Sequence, residues 1–146
     1  MRISIGAIGA AAQIVAVGLD ADGTLDEPPL EDTSTAGWYR LGAAPGERGP
    51  AVIVGHRDTA SGPSVFFRLG ELAPGDTVRI GRADGSTAVF RVQRTERVAK
   101  DRFPSAEVYG PVDHAALRLV TCAGPFDSAA AHYRRNLIVY ARQVGD

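Results

Sequence analysis

The stretch LAPGDTVRIGRADGSTAVFRVQRTERV (Leu72–Val98) decides the reading of this chain. Polar and apolar residues alternate along TVRIG and again along TAVFRV, the period of a half-buried strand. Between the two runs stands ADGS, where Asp84 and Gly85 supply turn chemistry. The segment therefore reads as a β-hairpin. The same period recurs in RISI and AQIVAVGL near the start, and in ALRLVTC and NLIVYARQV near the end. AVIVGH (Ala51–His56) is a short continuous apolar run that stops at Gly55, as a strand buried on both faces does. SVFFRLG (Ser64–Gly70) has room for one or two helical turns, and FPSAEVYGPVDH for a loop or a short helical turn. Seven or eight strands with Gly and Pro turns, little helix and no internal repeat predict an all-β barrel or sandwich. No linker divides the chain, so residues 1–146 are expected to form a single domain.

The bulk numbers narrow the function. With 146 residues and 45% hydrophobic content, the chain has the material for one core. A net charge of −1, with both signs mixed along the chain, gives no field for gathering nucleic acid or anionic membrane. No basic stripe carries interleaved aromatics, which argues against nucleic-acid binding. No run of about 18 apolar residues is present to span a bilayer. MRISIGAIGAAAQIVAVGL is broken by Gly, Ser and Gln and makes a poor signal peptide. DADGTLDEPPLEDTST has a calcium-like spacing of acids, yet an EF-hand loop needs more ligands and a closing Glu. It reads better as an Asp- and Gly-rich turn, and no metal or cofactor is expected.

Cys122 is the sole cysteine. A disulfide framework and a Cys-rich metal site are excluded, leaving an inert core thiol or a nucleophile. In LRLVTC, the residues Leu117, Leu119 and Thr121 share one strand face, and Arg118, Val120 and Cys122 the other. Cys122 reads as the last strand residue before Ala123-Gly124-Pro125, an open position that suits chemistry. A thiol nucleophile needs a base, and the histidines are His56, His114 and His132. His56 follows its own strand as Cys122 follows its strand, so both can meet at one barrel rim. His114 reads as a solvated loop residue in a turn, and His132 as part of a linker. An imidazolium nearby favours thiolate. Acyl transfer further requires donors for the developing oxyanion, which a guanidinium supplies. YRRNLIVYA offers Arg134 and Arg135 just ahead of its apolar part.

VIVGHRD (Val52–Asp58), LRLVTCAGPFD (Leu117–Asp127) and HYRRNLIVYA (His132–Ala141) together resemble the sortases, cysteine transpeptidases of Gram-positive cell surfaces. VGLDADGTL (Val17–Leu25), GPSVFFRLGELAPGD (Gly62–Asp76) and KDRFPSAEVYG (Lys100–Gly110) extend the likeness over nearly the whole chain. It is most similar to the class F (class E/F-like) sortases of actinobacteria. The resemblance implies a closed eight-stranded β-barrel with short helices in its connections. It implies His56 as acid/base, Cys122 as nucleophile, and an arginine on the strand after the cysteine. In many sortases that arginine stands five residues before the small residue ending the strand, which here is Asn136. Arg134 shares the parity of Asn136 and is the expected arginine. Asn136 is a possible second donor, and Arg135, of opposite parity, the outside choice.

The implied reaction is cleavage of an LPxTG-like sorting signal through a thioester on Cys122 and transfer to a cell-wall precursor amine. A pilin lysine is the rarer acceptor. The resemblance also implies an N-terminal tether that this sequence lacks, so the chain reads as the extracellular catalytic domain of a longer precursor, expected to be a monomer. Three readings compete. An L,D-transpeptidase also places a His before a Cys, but its cysteine lies in an SxGCxR-like setting that VTCAGP does not match. A non-catalytic binding module would hold Cys122 inert. Redox sensing would lack a resolving cysteine.

Overall fold

The computed structural model describes residues 1–19, 34–59, 62–127 and 132–145. The acidic turn that begins at Asp20 lies outside them through residue 33. The chain opens with β1 (Arg2–Ile5), β2 (Ala10–Val17), β3 (Thr35–Tyr39) and β4 (Gly49–Val54). A two-stranded ribbon of β5 (Asp58–Thr59) and β6 (Gly62–Pro63) follows. Then come β7 (Thr77–Gly81), β8 (Thr87–Ala99), the helix α1 (Ser105–Tyr109), β9 (Ala115–Asp127) and β10 (His132–Gly145). Eight strands close into a barrel in the order β1-β2-β3-β4-β9-β10-β8-β7. Two neighbour pairs, β2 with β3 and β4 with β9, run parallel, and the others antiparallel.

The predicted hairpin is β7–β8, with Val78 opposite Phe90 and Ile80 opposite Ala88, all buried. Its loop is wider than ADGS. Gly81 pairs with Thr87, so residues 82–86 make the turn, closed by Arg82 N–H donating to Ser86 O at 2.8 Å. The Asp84 carboxylate accepts from the Ser86 N–H and hydroxyl, which holds it below the usual carboxylate range. Gly85 sits at φ 89°, a conformation open to glycine at no steric cost.

The alternating strands send Ile3, Ile5, Ile53, Val78, Ile80, Phe90, Leu117, Leu119 and Val139 into one interior cluster. A second apolar cluster lies on the outer face: Val52, Val54, Val108, Val120, Ile138 and Tyr140. Val108 comes from α1, which packs over that patch. All six residues of β4 are consequently buried, the reason its sequence reads as a continuous apolar run.

TAGWY (β3) is a strand that the alternation did not reveal. SVFFRLG forms the expected turns and leads into a 3-10 turn at Leu69–Glu71. One expectation is corrected. The cysteine strand does not stop at Cys122. β9 continues to Asp127, and β10 begins at His132, so His132 belongs to a strand and not to a linker. Between Ala123↔Arg135 and Phe126↔Tyr133 the register shifts, with Gly124 and Pro125 facing the single residue Arg134. Proline has no N–H to give a ladder, and a bulge absorbs that loss without ending the strand.

Candidate active site

Register places the candidate residues. In the parallel β4–β9 ladder, Val52 pairs with Arg118, Ile53 with Leu119 and Val54 with Val120. Two residues past Val54, beyond the end of β4, comes His56; two past Val120, still on β9, comes Cys122. The ladder's last bond is the Gly55 N–H to the Val120 carbonyl, 3.2 Å. On the other side of β9, Cys122 is the direct antiparallel partner of Asn136, and Asn136 is the partner of Val98 on β8. One transverse row therefore runs Cys122, Asn136, Val98, and His56 stands just past the end of β4 on the other side of β9. This row continues the outer-face row of Val54, Val120, Ile138 and Glu96, because directly opposed residues share a face.

His56 is 9% exposed. Its carbonyl accepts from the Phe66 N–H at 3.1 Å, and Ser64 N–H donates to Arg57 O at 3.0 Å. These bonds fold the segment after β4 back on itself. Gly55 permits the close return: a Cβ there would lie 2.7 Å from Phe66 Cδ2 and 2.8 Å from Val65 Cγ2.

Arg134 falls at the bulge, and alternation along β10 counts it with Asn136. Arg135 pairs with Ala123, has the parity of the interior residues Leu137 and Val139, and is exposed beyond the last core layer. His114 stands at the opposite end of β9, beside Ala115. It is half-buried rather than solvated, with Nδ1 3.1 Å from the Asp113 carboxylate, which it holds below the usual range.

Two features were not anticipated. Lys100, in the 3-10 turn Lys100–Arg102 after β8, donates from Nζ to Asn136 Oδ1 at 2.9 Å. Below the row, Arg118 is 7% exposed and binds two backbone carbonyls, Glu107 O and Leu117 O, each at 3.3 Å. Burial lowers its pKa. Its guanidinium lies 4.8 Å from the Tyr140 ring centroid, and that of Arg94 lies 3.8 Å from it. Tyr140 donates to Glu96 at 3.0 Å, and Arg94 pairs with Glu107 at 2.6 Å. This network pins α1 to the barrel. Parity had put Arg118 on the cysteine face, but only the packing of α1 explains its burial. Beside α1, Tyr39 meets Tyr109 edge-on at 5.5 Å, and Phe103 lies 6.3 Å from Tyr109.

The family described as Sortase domain matches residues 3–144. The chain belongs to the sortase family. Its fold is similar to that of Sortase A from Corynebacterium diphtheriae, in a lid mutant, with a TM-score of 0.77 and 25% identity over 99% of this chain and 69% of that one. Another structure of Sortase A from that organism gives 0.75 and 25%, with 99% of this chain and 60% of that one covered. A Clostridium perfringens Sortase D5 transpeptidase, at 22% identity and a TM-score of 0.72 over 99% of this chain and 78% of that chain, shares the fold. No curated protein sequence matches the chain. No helix among the described residues of this sortase is long and apolar enough to cross a membrane.

Proposed function

We propose that this sortase is a cysteine transpeptidase of the class F type that cuts an LPxTG-like sorting signal and joins it to a cell-wall amine. The observation that supports the reading is the strand register: Cys122 faces Asn136 across β9–β10, His56 comes two residues past Val54, the partner of Val120, and Arg134 lies two residues before Asn136 on β10. In this reading, far-separated parts of the sequence supply a sulfur, an imidazole and a guanidinium to one site.

The chemistry follows from those groups. The Cys122 thiolate attacks the threonyl carbonyl carbon, and the carbonyl π electrons move to oxygen. Arg134 and a backbone N–H stabilise that oxyanion; Asn136 is positioned to add a donor. Collapse breaks the C–N bond as His56 gives its proton to the departing amine, leaving a thioester on Cys122. The acceptor amine attacks the thioester, His56 takes the amine proton, and the thiolate leaves. Water competes slowly at the same step. Residues 1–146 act in this reading as one catalytic domain, a monomer held at the outer membrane face.

The test is mass spectrometry of the protein incubated with a library of sorting peptides and an amine acceptor. An acyl adduct on Cys122 that passes to the amine is expected. Reaction with tetrapeptide stems alone would instead assign an L,D-transpeptidase. Negligible labelling of the folded protein by a mild thiol electrophile would assign a binding module with an inert thiol.

A further inference from the structure

Asn136 faces Cys122 across the β9–β10 ladder, where opposed Cα atoms lie about 4.5–5.5 Å apart. Its side chain is held from one side by Lys100, at 2.9 Å. An ammonium only donates, so the amide must present its oxygen to Lys100. The N–H donors of the carboxamide are thereby turned away from the ammonium, and the amide's orientation is fixed by chemistry. Lys100 itself is half-buried and anchored at the end of β8, directly after Ala99, the register partner of Arg135. A conformationally expensive side chain has been ordered next to the nucleophile's partner.

We propose that Lys100 is a positioning residue for the reaction: it orients the carboxamide of Asn136, the register partner of Cys122, and brings its ammonium to the strand pair that carries the nucleophile. The proposal rests on the transpeptidase reading for its role in turnover, but its effect on the thiol stands apart from any substrate. Other titratable residues lie on the elements around this position. His56 follows β4, Arg134 lies on β10, and Arg118, Glu96 and Glu107 lie lower down. Glu96 and Glu107 are engaged by Tyr140 and Arg94, and Arg118 by backbone carbonyls. Lys100 is the cation tied by a hydrogen bond to the residue opposite the cysteine.

The experiment is the pH dependence of iodoacetamide alkylation of Cys122 in the whole chain, with melting temperatures recorded alongside. Lys100→Met removes the charge at similar length, and Lys100→Arg restores it with donors. A nearby unit charge in partly screened surroundings moves a thiol pKa by about 0.5–1 unit. Lys100→Met is expected to raise the alkylation midpoint by that amount, and Lys100→Arg to bring it back. A role confined to stability would lower the melting temperature and leave the midpoint in place. Asn136→Ala should abolish the difference in amide positioning, so that adding Lys100→Met then costs less in kcat than it does alone. In sorting-peptide turnover, Lys100→Met lowers kcat about tenfold with KM little changed, the sign of an interaction made mainly in the transition state. An unmoved midpoint in Lys100→Met, or one that Lys100→Arg fails to restore, overturns the proposal. A shifted midpoint in a protein that cleaves no sorting peptide upholds the Lys100 effect on the thiol and sinks the substrate reading instead.

Discussion

Val54 and Val120 are direct partners in a parallel ladder, although 66 residues separate them in the chain. Two residues beyond each stand His56 and Cys122. Parallel pairing keeps the same direction on both strands, so equal steps along each reach neighbouring positions. The proposed approach of His56 to Cys122 thus depends on the register of one pair of valines.

Replacing either member should separate binding from chemistry. Cys122→Ala is expected to form no acyl adduct with sorting peptides, and His56→Ala to retain about 1% of turnover or less, the usual scale of lost acid/base help. Intact-protein mass spectrometry and single-turnover cleavage check both. Full adduct formation in Cys122→Ala would mean that another group carries the acyl chain.

The two arginines answer to parity. Arg134→Ala should lower kcat/KM about 100-fold or more, the scale of a lost oxyanion donor. Arg135→Ala, at an exposed position of interior parity, should stay within about threefold. Steady-state cleavage of a fluorogenic sorting peptide measures both. The reverse pattern would show that the bulge at Gly124-Pro125 rotates β10 enough to exchange the two roles.

Gly55→Ala should damage the site through packing. The added methyl would meet Phe66 and Val65 at under 3 Å, and both belong to the segment that holds the His56 carbonyl. Overpacking of this kind costs about 1–3 kcal/mol. Urea denaturation should report that loss, with turnover falling further than stability alone requires. Unchanged unfolding and turnover would mean that the return of the chain after β4 is not tight.

Tyr140 carries a signature at alkaline pH. Burial, with the hydrogen bond to Glu96 second, pushes its pKa from 10.0 to about 12. The unfolded chain then loses this proton first, and between the two values it binds fewer protons than the native state. Stability from this group is complete below about pH 10 and drains away as pH rises through 12. Tyr140→Phe should flatten that part of the stability profile, at a cost near 1 kcal/mol at neutral pH for the lost hydrogen bond. Thermal melts from pH 9 to 12 decide it; identical slopes for both proteins would assign the alkaline loss elsewhere.

What could be read from the chain alone was local. Alternation in TVRIG, TAVFRV and ALRLVTC is a property of neighbouring residues, so the hairpin, the strand faces and the parity separating Arg134 from Arg135 were visible. The apolar run of β4 announced a strand covered on both sides, and the only cysteine and its candidate histidine stood out by residue type. Continuation of β9 through Gly-Pro was not visible, because a turn signal and a bulge use the same residues and only a partner strand decides between them. β3 was hidden by its length and its glycine. Barrel closure, the parallel register of β4 with β9, the burial of Arg118 under α1 and the bond from Lys100 to Asn136 all join residues many positions apart. Each depends on which strands become neighbours, a choice made by burying both apolar clusters at once, and no window of sequence contains it.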